Sequence, residues 1–215
     1  MHNLFEILKA IGKLILANIF LYFVFAIIFL MTNNTYISYL ISYIIATVIL
    51  IIMNYKSLKI DLHNIKKDYK NILLNVILFT VLFTILVNIS NFILYNLSGS
   101  IADKELANEQ LVLESPLLMF ITVGIIAPIF EEISLRYPYH NININKYIKL
   151  LMMTICFVIL HLTTMDNIYD YLYIISYILL NLEFGYSYFK SNNLIGSILI
   201  HILNNSIIII SLLLK

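Results

Sequence analysis

The sequence predicts an all-α polytopic membrane protein: about seven transmembrane helices bundled around an intramembrane polar cavity. Three observations carry that expectation. The 215 residues are 61% hydrophobic and only 12% charged, whereas soluble domains are about half apolar and about a quarter charged. Apolar runs long enough to cross a bilayer, which takes about 20 residues, recur along the chain between short polar segments. The third is Glu131-Glu132-x-x-x-Arg136, three charges inside an otherwise apolar run. An ionised side chain near the bilayer centre costs about 2.5–3.5 kcal/mol, so such groups face a bundle interior or a water-filled cavity.

Taken in order, the first span runs from about Lys13 to Met31. It is too long for a signal-peptide core and no small-residue cleavage site follows, so it reads as a retained span. Thr32-Asn33-Asn34-Thr35 turns into a second span, about Tyr36 to Met53. The lysine-rich segment Tyr55 to Lys70 reads as a solvated cytoplasmic loop, with a membrane-surface helix as the alternative. A third span follows at about Ile72 to Leu97, then an acidic segment, Ser98 to Ser115. Pro116 opens the fourth span, which holds the charged stretch. The fifth is expected at about Tyr147 to Leu162, the sixth at Tyr171 to Phe189 and the seventh at Leu194 to Leu214, with a break at the acidic turn Met165 to Asp170.

With the N-terminus in the cytoplasm, only Lys104 and Lys215 of the 13 basic residues fall outside. The positive-inside rule therefore predicts a multi-pass cell-membrane protein with the N-terminus in and the C-terminus out. A net charge of +1 gives no reason to expect nucleic acid. The lone Cys156 excludes an internal disulfide and a multi-cysteine metal site. Five Gly and three Pro leave no flexible linker, and no repeat is visible, so residues 1–215 are expected to form one domain. The oligomeric state is not legible.

Three expected spans carry polar stripes. Glu132 and Arg136 are four residues apart, as are Phe157 and His161, and His201 and Asn205, with Asn204 alongside; each pair shares a helix face. Singly, each has a bland reading: His161 as a packed histidine, Asn204 and Asn205 as interhelical hydrogen-bonding residues, Arg136 as a snorkelling anchor. Two adjacent glutamates in an apolar run resist one. The sequence has no Gly-x-Ser-x-Gly, no phosphate-binding glycine loop and no His-Glu-x-x-His helix. The groups present suit water activation: a buried glutamate as general base, a histidine holding the same water, and a second histidine with an asparagine amide as donors to an oxyanion. Hydrolysis of a carbonyl, above all that of a peptide bond, is the chemistry they fit.

Glu131-Glu132-x-x-x-Arg136, Phe157-x-x-x-His161 and His201-x-x-x-Asn205, in that order, resemble the CAAX protease and bacteriocin-processing family of intramembrane endopeptidases. That family is similar to the Ras-converting CAAX prenyl endopeptidase and includes Abi-type bacterial members. Ala127-Pro128, Gly185 with Tyr188, and the doubled Asn204-Asn205 add to the match, which covers roughly Ala127 to Ser206 in a core of about 116–210. The resemblance implies that Glu131 and His161 activate water, that His201 and Asn205 form the oxyanion hole, and that Glu132 and Arg136 support the site. Its substrates would be membrane-associated peptides or proteins, and its setting the lipid bilayer. Where the family's pattern has a glycine after the arginine, this chain has Tyr137 and then Pro138.

No cofactor is expected; if zinc takes part, Glu131, His161 and His201 are its ligands, with a fourth position open for water. Two other classes compete: an ion- or proton-coupled transporter, whose usual repeated halves are absent, and a non-catalytic immunity or scaffold protein. Depth adds one condition. If Arg136 marked the cytoplasmic boundary, Glu131 would lie about 8 Å below it and His161 about 21 Å below Tyr147, at about 1.5 Å per residue. The two share a water only if Arg136 is itself buried and the boundary lies nearer Lys146, with Tyr137 to Asn145 bent inside or along the interface.

Overall fold

The computed structural model describes residues 2–98, 103–140, 142–162, 171 and 173–214. Its α-helices are α1 (His2–Thr32), α2 (Thr35–Met53), α3 (Tyr55–Ser98), α4 (Asp103–Glu114), α5 (Pro116–Met119), α6 (Ala127–His140), α7 (Lys146–Leu162), α8 (Ile174–Ser191) and α9 (Leu194–Leu213). A π-helical segment, Phe120–Ile126, joins α5 to α6. There is no strand among the described residues. The fold is an all-α polytopic membrane bundle.

Five stretches of the described residues are long and apolar enough to cross a membrane: Asn3–Thr32, Thr35–Met53, Tyr69–Leu97, Pro116–His140 and Leu194–Leu213. The expected count of seven is therefore not confirmed among the described residues. The expected fifth and sixth spans fall on α7, of 17 residues, and α8, of 18, which carries Asn181, Glu183 and Lys190. The turn Met165 to Asp170 lies outside the described residues.

The lysine-rich segment is not a loop. It is the first part of the 44-residue α3 and runs without a break into the third span. The continuity has a local cause: no Gly or Pro lies between Tyr55 and Leu97, and Asn54 separates this helix from α2. Its inner face is pinned at Asp61, which is buried among otherwise exposed neighbours. The Tyr137 hydroxyl donates to Asp61 Oδ2 at 2.9 Å, the Leu194 N–H reaches the same oxygen at 3.4 Å, and the Asn193 amide donates to the Asp61 carbonyl at 2.8 Å. The first turns of α3 thus hold the end of α6 and the start of α9.

Helix α6 is the central element. Ten of its 14 residues are buried, and it packs on α1, α2, α7 and α9. Small residues on α2, Ser38, Ser42 and Ala46, are buried and let the backbones approach closely. Leu73, Leu74, Ile77, Leu78 and Val81 on α3 lie on the outside, where lipid tails solvate them. A shallow apolar groove of about 360 Å³ between α7 and α8 belongs to that outer face; Leu151, Ile155 and Ile159 line it, and Glu131, Glu132, Arg136 and His201 do not.

Candidate functional site: two glutamates around His201

The site begins with a break in the helix ladder. Pro128 has no N–H, so the helix around it must leave a carbonyl without its backbone donor. The chain absorbs this by widening to π geometry just before α6, where the Ala127 N–H bonds the Thr122 carbonyl. In that register the group facing Pro128 is the Val123 carbonyl. The Asn205 amide fills the gap, donating to Val123 O at 2.9 Å from α9. Asn205 is thereby held by the backbone immediately upstream of Glu131.

One turn later α6 presents its carboxylates. Glu132 is fully buried, and Arg136, one turn on and also 0% exposed, donates from Nε to Oε2 at 3.0 Å and from Nη2 to Oε1 at 3.4 Å. Ser197 on α9 donates to Glu132 Oε2, and His201 Nδ1 lies 3.2 Å from Oε1. Four contacts from charged or polar groups are what a carboxylate in a dry interior needs. Arg136 is satisfied in turn: Nη2 donates to Asn181 Oδ1 at 2.8 Å, and the Asn181 amide donates to Thr154 Oγ1 at 2.8 Å. The burial condition on Arg136 is met, but by a different path: α6 runs on to His140 through Pro138 instead of bending at Tyr137. Gly185 makes room here, since a methyl group at its position would meet the Leu150 side chain and come within 3.4 Å of Arg136 Nη1.

Glu131 points the other way and is 27% exposed, with Oε2 3.8 Å from His201 Nε2. His201 therefore stands between the two glutamates, one at each ring nitrogen. A carboxylate only accepts, so Nδ1 facing Glu132 carries the proton. Phe184 stacks on the His201 ring at 4.2 Å and 19°, fixing its plane. His161 joins through Phe157, whose ring is 4.2 Å from His161 and 6.4 Å from His201. His161 Nδ1 lies 2.8 Å from the Phe157 carbonyl; a carbonyl only accepts, so that nitrogen carries a proton, and in the neutral ring Nε2 is the acceptor.

The structure thus gathers Glu131, Glu132, Arg136 and His201 directly, with His161 brought alongside by Phe157. It parts the two asparagines: Asn205 goes to Val123, whereas Asn204 turns to Glu183 on α8, 3.5 Å from its amide. Asn181, Ser197, Phe184 and Glu183 were not singled out in the sequence. Glu183 carried the same signal as Glu131, a charge in an apolar run, and Ser197 lies four residues before His201 on the same face. Asn181 and Phe184 carried none. Among the described residues no three His, Cys, Asp or Glu side chains converge as metal ligands do. Glu131, His161 and His201 do not form such a group among the described residues.

Residues 113–207, from the end of α4 through most of α9, match the family model of type II CAAX prenyl endopeptidase Rce1-like proteins. The segment contains all three motifs and the helices that gather their side chains, so the resemblance read from the motifs holds over this region. At the level of the family it is that of an intramembrane protease. No curated protein and no solved structure matches the chain.

Proposed function

We propose that this protein is an intramembrane endopeptidase that hydrolyses a peptide bond of a membrane-associated peptide or protein, with no metal. The observation that carries the reading is His201 set between the buried Glu132 and the partly exposed Glu131. Glu132 orients the ring, and its charge offsets the imidazolium that presents an N–H from Nε2. The 3.8 Å between Nε2 and Glu131 is too long for a direct hydrogen bond and leaves both groups facing one reacting atom. In this mechanism Glu131 takes the proton of the attacking water, and His161, with its Nε2 lone pair, holds that water. His201 and the amide of Asn205 donate to the carbonyl oxygen as it becomes an oxyanion. Arg136, Asn181 and Ser197 keep Glu132 ionised and fixed. Substrates reach the site from the cytoplasmic side, with the N-terminus in the cytoplasm and the C-terminus outside.

Glu131→Gln is the test. The substitution removes the base yet keeps the side chain's shape, and a partly exposed carboxylate contributes little to folding. Loss of peptide release of about 10²-fold or more, with unchanged expression and thermal unfolding, is the expected result. Unchanged cellular function of that variant would instead favour a binding or immunity role. Full activity after exhaustive chelation supports the metal-free mechanism; stoichiometric zinc with chelator-sensitive turnover overturns it.

A further inference from the structure

Five buried side-chain oxygens or hydroxyls have no hydrogen-bond partner among the described residues, and four of them lie on the facing helices α3 and α8: Thr80, Thr84, Glu183 Oε1 and Ser187. The two helices pack directly on each other and both on α9. Their register is fixed by the Ser176 hydroxyl, which donates to Asn91 Oδ1 at 2.6 Å, and by Phe79 against Tyr186 at 5.4 Å. The helices run antiparallel, so seven residues back from Asn91 is Thr84 and seven on from Ser176 is Glu183. Four further in each direction come Thr80 and Ser187, one helical turn along the same faces. The orphans therefore stand opposite one another in two rungs. On the third side Asn204 of α9 takes Glu183 Oε2, leaving Oε1 turned from it.

Buried polar atoms almost always have a partner, and four orphans in one helix interface mark a missing one. Glu183 is 0% exposed and Ser187 1%. No Lys, Arg or His among the described residues pairs with Glu183. Every unsatisfied atom is an oxygen, which suits a hard cation over a soft one. The set holds one carboxylate, so a single positive charge balances it, whereas a divalent ion would leave a net charge in the bundle.

We propose that Glu183, Ser187, Thr80 and Thr84 bind a monovalent alkali cation, Na⁺ or K⁺, between α3, α8 and α9. The ion ties α3 to the stretch of α8 that also carries Asn181 and Phe184, the partners of Arg136 and His201.

The purified full-length protein in detergent is unfolded thermally at one ionic strength in NaCl, KCl and choline chloride. A cation present at about a hundred times its Kd should raise Tm by roughly 5 °C or more over choline, which is too large to enter. Whichever of the two alkali salts gives the larger rise identifies the ion. Glu183→Gln should abolish the difference between salts. Should that variant fail to fold, Thr84→Val with Ser187→Ala keeps the carboxylate and should move the midpoint of a cation titration at least tenfold higher. Equal Tm in all three salts overturns the proposal in favour of a protonated carboxyl or bound water, as does a salt difference that survives Glu183→Gln.

Discussion

Replacing Arg136 by Met should destabilise the protein far more than replacing Arg136 and Glu132 together. In the wild type the Nε–Oε2 distance is 3.0 Å with both side chains fully buried. Two unit charges at that distance attract by on the order of 5 kcal/mol at an effective dielectric constant of about 20. Methionine keeps the apolar stem's volume but leaves Glu132 with only Ser197 and His201, an uncompensated charge of the kind that costs about 3–5 kcal/mol. For a chain of this length about 1 kcal/mol moves Tm by roughly 2–4 °C, so Arg136→Met should lower Tm by on the order of 10 °C. Glu132→Gln in the same chain removes the stranded charge and should return half or more of the loss. The assay is thermal unfolding of the four proteins of the double-mutant cycle in one detergent. A single mutant within about 2 °C of wild type, or a double mutant whose loss equals the sum of the singles, would refute the argument that the pair is ionised and mutually dependent.

Two further outcomes follow from the same geometry. Asn205→Ala should cost about 1–3 kcal/mol because it strips the Val123 carbonyl of its donor; in a Pro128→Ala background, which supplies a backbone N–H to that region, the loss should shrink, read by the same unfolding cycle. Asp61→Ala should cost a similar 1–3 kcal/mol or so and speed amide hydrogen exchange in the first turn of α9, where Leu194 N–H loses its acceptor, while exchange in α1 stays unchanged.

The motif residues were legible because their signals are local. Hydropathy placed α1, α2 and the spans ending at Leu97, His140 and Leu213, and the four-residue spacing put Glu132 with Arg136 on one face. The lysine-rich segment reads as a loop from its charge alone, but with no Gly or Pro to stop it a helix begun at Tyr55 has no reason to end. The count of seven is unconfirmed at α7 and α8: α7 has 17 described residues, and in α8 Asn181, Glu183 and Lys190 lower the apolarity that identifies a span.

The residues in order specify a helical membrane bundle, and a set of glutamates, histidines and an arginine too expensive to leave unpaired in it. Their pairing comes from the packing of the helices. Glu131 and Glu132 are adjacent and chemically identical, yet one faces Arg136, Ser197 and His201 in a closed interior while the other keeps partial exposure. Asn204 and Asn205 part in the same way, toward Glu183 and toward Val123. A helix turns about 100° per residue, so neighbours in sequence look into different interfaces. Which helix stands in each is set by long-range packing, for which a single polar residue in an apolar run carries no signal.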